Sequence, residues 1–226
     1  MIKTPNNIFR YFMDLISFLS LLTKLKENRL AGRVAHSLLG PPQRMAQLNS
    51  MSMTKIKPKK AAVLLLFYPN ASGEVNFVLT RRKVYKGAHS GQISFPGGKP
   101  ETLDDDLWAT ALRETHEEIG LASHQVKYFR SLTQLYVPPS NFLIVPYVGY
   151  VEKTCVFSPD SKEVDAILEI SLEGLINNQP MMTKQRTSSA NSVEVPAYVF
   201  DQNEVWGATA MILPEFKMLF TTGLSK

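Results

Sequence analysis

Residues 97–121, GGKPETLDDDLWATALRETHEEIGL, constrain this chain more than any other stretch. Two glycines open it and permit a tight loop with bare backbone groups. Asp104, Asp105 and Asp106 then supply an N-cap and first-turn acids for a helix, and Gly120 is placed to end it. On that helix Glu114 and Glu118 lie four apart and Glu117 lies between them, so the three carboxylates share roughly one face. Three like charges on one face repel each other and weaken an isolated helix. A divalent cation removes that penalty, and hard ions such as Mg2+ prefer carboxylate oxygens. An acidic cluster alone is more often a solvated helix face. Here an apolar, strand-like run, Ile93-Ser94-Phe95-Pro96, feeds the glycine turn, and the loop–helix–loop arrangement favours a built site.

The run Arg113-Glu114-Thr115-His116-Glu117-Glu118-Ile119-Gly120-Leu121 resembles the core of the Nudix box. That box is a glycine, five residues, Glu, seven residues, Arg-Glu, an apolar residue, any residue, Glu-Glu, any residue, Gly and an apolar residue. Two departures show. Thr115 stands at the apolar position. Counting back from Arg113 puts the early acid at Asp105 and the opening glycine at Lys99, whereas the glycine present is Gly98, so the loop carries one extra residue. The resemblance implies an α/β fold, a Nudix-type α/β/α sandwich with a mixed β-sheet, and Mg2+- or Mn2+-dependent hydrolysis of a pyrophosphate bond. Glu114 and Glu118 would be direct metal ligands, with Glu117 serving a second ion. The family implies the backbone carbonyl of Gly98 as a further ligand. Arg113 would pair with a box carboxylate and orient it; the plain alternative is an ion pair within the helix. The general base is either Glu117 or a residue outside the box. Glu163, at the start of an expected strand, is the outside candidate, against the plain reading of a solvated acid.

Leu79-Thr80-Arg81-Arg82, followed after six residues by His89-Ser90-Gly91-Gln92-Ile93-Ser94-Phe95-Pro96-Gly97-Gly98, is similar to the signature of the coenzyme A pyrophosphatase subgroup. Val137–Phe142 and Val205–Ala210 look like the subgroup too. One position departs: Gly87 stands where the subgroup has an arginine. The implied substrate is coenzyme A or an acyl-CoA, split to adenosine 3′,5′-bisphosphate and (acyl-)4′-phosphopantetheine. Arg81 and Arg82 are candidate phosphate donors, and strand alternation lets only one of them face the site. His89 precedes the site loop and is a further candidate for a phosphate. Asn141, with Ser140, is a candidate for the pocket wall, though a simple turn explains both equally well. Two other readings stand beside this one: hydrolysis of ADP-ribose or another nucleoside diphosphate derivative, and a non-catalytic Nudix binding module.

The 226 residues are 44% hydrophobic, enough for one sizeable core and an extension. The +5 net charge is uneven. Residues 1–60 hold eleven Lys/Arg against two Asp/Glu, and the remainder is net acidic. Such asymmetry suits an arm for nucleic acid or an acidic membrane. With Pro41, Pro42 and Pro58 among the charges, an exposed helix face and linker is the preferred reading, and a nucleic-acid partner is not expected. Apolar residues from Ile8 to Leu22 recur at helical period, which predicts an amphipathic helix over 7–26. Residues 38–58 read as a linker, giving an N-terminal helix and basic linker over 1–58 and a Nudix domain over 59–226. Strands are expected at 61–68, 75–82, 126–136, 142–151 and 164–170, a hairpin within 191–205, and helices at 172–178 and 208–220. No apolar run approaches the roughly 18 residues of a spanning helix. The single cysteine, Cys155, excludes an internal disulfide and fits a reducing, cytoplasmic setting. The expected partners are a small-molecule substrate and a second copy in a homodimer.

Overall fold

The computed structural model describes residues 13–50, 56–83, 91–186 and 192–224. His89, with Lys86 and Gly87, lies outside the described residues, as do the first turns of the expected N-terminal helix.

Strand β1 (Lys59–Pro69) is apolar from Ala61 to Tyr68 because both of its faces are covered. Alternation sends Leu65 and Phe67 into one cluster and Ala62, Leu64, Leu66 and Tyr68 into another. The turn after it closes on Asn70, whose side chain accepts from the N–H groups of Ser72 and Glu74. The next strand, β2 (Val75–Arg82), pairs with β1 only at Phe67–Pro69. Beyond that point the two strands part, and β3 (Ile93–Ser94) and β4 (Gly97–Gly98) fill the gap. β3 pairs with Thr80 and Arg81, and β4 pairs with Ala62 and Val63. The two glycines are therefore wedged into the middle of the sheet.

On its other edge β1 runs parallel to β7 (Phe142–Tyr150). β7 carries β5 (Lys127–Ser131) and β6 (Leu135–Val137), both antiparallel. The free edge of β2 takes β8 (Val164–Ser171). One parallel pair among antiparallel ones makes the sheet mixed, as expected. Residues 126–136 were expected as one strand and form two. Thr133, between them, gives its backbone N–H to Glu215 instead of to the sheet.

Helix α4 (Leu107–Ile119) covers one face of the sheet and α6 (Gly207–Leu224) the other, which gives the α/β/α sandwich. A short α5 (Leu172–Asn177) follows β8. A second, antiparallel sheet joins β9 (Met181–Arg186), β10 (Ser192–Phe200) and β11 (Asn203–Trp206). Its β10–β11 hairpin matches the expectation; β9 was not anticipated, since its polar residues carry no clear alternation.

α6 is buried almost all round. The sheet covers one side, and α1 (Leu15–Leu25), α2 (Arg33–Ser37) and α3 (Pro42–Ser50) lie against the other. α1 starts at Asp14, whose carboxylate accepts the Ser17 N–H at 2.8 Å. It buries Phe18, Leu22 and Leu25, with Phe18 against Phe67 and Phe220. Arg130 of β5 donates to the carbonyls of Leu25 and Asn28 at the end of α1. Residues 38–58, expected as linker, contain α3. Pro42 opens that helix, and Met45 and Leu48, three apart, pack on the core.

Candidate active site

The site forms where α4 crosses the glycine wedge. Asp106 caps α4 by accepting the Ala109 N–H at 2.8 Å, and Gly120 ends it in the left-handed region with φ of 75°. Thr115, the polar residue at an apolar position, is buried and donates its hydroxyl to the Ala111 carbonyl, so no polar atom is stranded. Gly97 needs its glycine: φ is 147°, and a Cβ would run into the backbone of Ala62 and Val63. A Cβ on Gly98 would collide with the Glu114 carboxylate. The loop and the acid are thus in direct contact.

Glu118 is buried, and its surroundings are not neutralising. The Thr80 hydroxyl lies 3.4 Å from Oε2 and Arg82 Nη1 lies 3.9 Å from Oε1. The Gly97 amide acts on the same carboxylate and lowers its pKa. Burial pushes its pKa up to about 7. Arg82 offsets part of that, and the charges of Glu114 and Glu163 add to it. Glu114 is also raised, first by burial, with Arg113 opposing and Glu117 and Glu163 contributing. Glu117 is the exposed member of the three.

Arg113 ties this acid set together. Its Nε and Nη2 bind Asp104 at 2.9 and 3.1 Å, and Nη2 also donates to the Lys99 carbonyl at 2.9 Å. Its Nη1 reaches Glu117 at 3.0 Å and Glu114 at 3.3 Å. This is no plain ion pair within a helix, because the guanidinium spans the loop and two of the three glutamates. Asp104 holds the forked pair, and Asp105 is exposed. The early acid position therefore belongs to Asp104, which counting forward from Gly98 would have found; the extra residue falls after it. Arg113 in turn holds the Asp104 carboxyl well below the usual carboxylate range.

The other sequence candidates divide. Arg82 faces the carboxylates, but Arg81 turns to the opposite face, where Nε binds Asp165 at 2.7 Å and Nη1 lies 3.4 Å from Asn203. Glu163 is exposed just before β8, yet close enough for its charge to act on both Glu114 and Glu118. Asn141 sits in the left-handed region with φ of 54°; its side chain accepts from the Tyr136 hydroxyl and donates to the Lys57 carbonyl, so it serves the turn. Thr80 and the Gly97 amide escaped the sequence reading, since neither has a signature outside the fold.

Among the described residues, no three acidic, His or Cys side chains stand close enough together to form a finished metal cage. The donor set still suits a hard cation: oxygens only, mutually repelling, with one acid buried and its pKa raised first by that burial and then by the neighbouring acids.

The site is thus an acid-faced helix laid over a Gly-Gly wedge, in a mixed sheet between helices. The chain belongs to the Nudix family, with the NUDIX domain matching residues 58–191. It is similar to "Nudix hydrolase 15, mitochondrial" of Arabidopsis thaliana, at 30% identity over 83% of this chain and 67% of that protein. It is also similar to the human "Mitochondrial coenzyme A diphosphatase NUDT8", at 32% identity over 70% of this chain and 68% of that protein. Among solved structures, a MutT/nudix family protein from Enterococcus faecalis aligns with a TM-score of 0.49 at 13% identity, over 83% of this chain and 72% of that one.

Proposed function

We propose that this chain is a divalent-cation-dependent pyrophosphohydrolase acting on coenzyme A or acyl-CoA. The products are adenosine 3′,5′-bisphosphate and (acyl-)4′-phosphopantetheine. The observation that carries the reading is the buried, repelled Glu118 carboxylate beside Glu114 and Gly98, with Arg82 at the rim. The coenzyme A diphosphatase name of the human relative supports the choice of substrate.

In this reading Glu114, Glu118 and the Gly98 carbonyl hold Mg2+ or Mn2+, and Glu117 serves a second ion. When bound, such a cation neutralises phosphate charge and makes hydroxide accessible near neutral pH. Arg113 keeps Glu114 and Glu117 in place. Arg82 holds a pyrophosphate oxygen. Glu163 takes the proton of the attacking water on a carboxylate oxygen. The water oxygen bonds to one phosphorus, the bridging P–O bond breaks, and the second phosphate leaves with the bridging oxygen. The cytoplasm is the proposed compartment, on the strength of the single cysteine. Among the described residues, no helix is long and apolar enough to cross a membrane. The two relatives carry mitochondrial names, and fractionation of a tagged full chain tests the placement.

The test offers coenzyme A, 3′-dephospho-coenzyme A and ADP-ribose side by side with Mg2+. Adenosine 3′,5′-bisphosphate should appear fastest, from coenzyme A, and vanish in Glu118→Gln. Faster cleavage of ADP-ribose would keep the metal site and discard the substrate. Gly87, standing where the subgroup has arginine, is the observation that keeps this second reading open. No turnover of any of the three would leave the binding-module reading.

A further inference from the structure

We infer that the outer surface of the N-terminal helices docks on an anionic lipid surface. α1 and α2 are held to the body at separate points. Leu21 and Leu25 abut Gly223, Arg130 closes the end of α1, and Gly32 donates its N–H to Glu215 at 2.7 Å. With Phe18, Leu22, Leu25, Ala35 and Leu39 buried inward, the opposite surface is fixed in place.

The side chains that α1, α2 and the segment between them expose are mixed in a specific way. Ile16 is 82% exposed, Val34 65% and Leu38 58%. Val34 of α2 and Leu38, its C-cap in helical conformation, are four apart and point to one side. These three make up a third of the nine large hydrophobic side chains that the described residues expose. The cations Lys24, Lys26 and Arg29 are exposed between them in sequence, alongside the exposed acids Asp14 and Glu27; among the described residues none of the three cations has an ion-pair partner, and the stretch stays net positive. Aliphatic side chains among cations suit the boundary between lipid headgroups and acyl chains, where the apolar groups insert and the cations meet anionic headgroups. A second copy fits less well, because two such surfaces would repel each other. Nucleic acid rewards the cations but gives the aliphatics nothing to do. The excess of eleven basic over two acidic residues in positions 1–60 adds long-range attraction of the same sign.

The experiment is co-sedimentation of the full chain with vesicles of phosphatidylcholine containing about 30% phosphatidylserine, and with phosphatidylcholine alone. The chain should pellet with the anionic vesicles only. Two variants sharpen the result, Lys24→Glu with Lys26→Glu and Arg29→Glu, and Val34→Ser with Leu38→Ser. Each should weaken binding by about tenfold or more. All these side chains are exposed, so thermal melting should match the parent chain and show that the variants fold. Equal binding to both vesicle types, no binding, or variants that bind like the parent would overturn the inference. So would tighter binding to a DNA duplex at equal phosphate concentration, or self-association without vesicle binding.

Discussion

Glu118 on α4 and Glu215 on α6 are both out of solvent, on opposite faces of one sheet. Around Glu215 the fold supplies donors: the Gly32 N–H at 2.7 Å, the Thr133 N–H at 2.8 Å and the Thr133 hydroxyl at 2.6 Å. His36 Nε2 stands 3.6 Å away, in ion-pair range but beyond a hydrogen bond. Burial pushes the Glu215 carboxyl up, but His36 and the Thr133 donors outweigh it, and the net shift is downward. Around Glu118 the fold supplies two further acids and a partly exposed arginine, and the net shift is upward. A buried acid with its donors complete is a structural clasp. One left short of them, beside like charges, is poised for a ligand.

The comparison breaks most visibly on substitution of the two acids. Glu118→Gln should cut coenzyme A turnover by about 10³-fold or more, with melting without added cation unchanged or raised at pH 8. Glu215→Ala should lower the unfolding free energy by about 3–5 kcal/mol, because three donors lose their acceptor in the core. Turnover per folded molecule should survive. Urea titration beside steady-state kinetics separates the two outcomes; equal destabilisation by both substitutions would end the distinction.

Arg113 tests the same idea one layer out. Arg113→Lys removes the fork that spans Asp104, Glu114, Glu117 and the Lys99 carbonyl. It should lower kcat by about 10- to 100-fold and weaken Mg2+ activation. A change confined to KM for the nucleotide would instead place Arg113 on the substrate.

The smallest effect is a pH dependence of opposite sign at the two acids. The Glu118 carboxyl is raised when folded, so its contribution to stability is present below the unfolded carboxylate range and lost as pH rises through about 7. The Glu215 carboxyl is lowered, so its contribution is present above that range and lost as pH falls through the folded value. Without divalent cation, the Glu118 effect should cost the chain on the order of 1–3 kcal/mol between about pH 5 and pH 8. Mg2+ should restore stability progressively above about pH 7, since binding needs the ionised carboxylate. Melting curves across that range, with and without Mg2+, check both halves.

By itself the sequence determined the acid helix, its caps, the glycine loop and most strands. These are local: spacing within one helix puts Glu114, Glu117 and Glu118 on a face, and an apolar run such as Ala61–Tyr68 has few other uses. Its resemblance to the Nudix box also put Arg113 beside those acids. Only the tertiary structure decided which arginine faces them, because the choice between Arg81 and Arg82 depends on which face of β2 the helix covers. It decided that Asp104 and not Asp105 receives Arg113, a matter of how one extra loop residue is accommodated. It turned Asn141 into a turn residue through contacts with Tyr136 and Lys57. It converted an expected linker into a helix packed on α6 through Arg44 and Met45 beside Met211. Contacts such as Asn141 with Lys57 and Glu215 with Gly32 and Thr133 join residues far apart in the chain, and even the nine-residue step from Asp104 to Arg113 is set by how the loop packs rather than by a local preference.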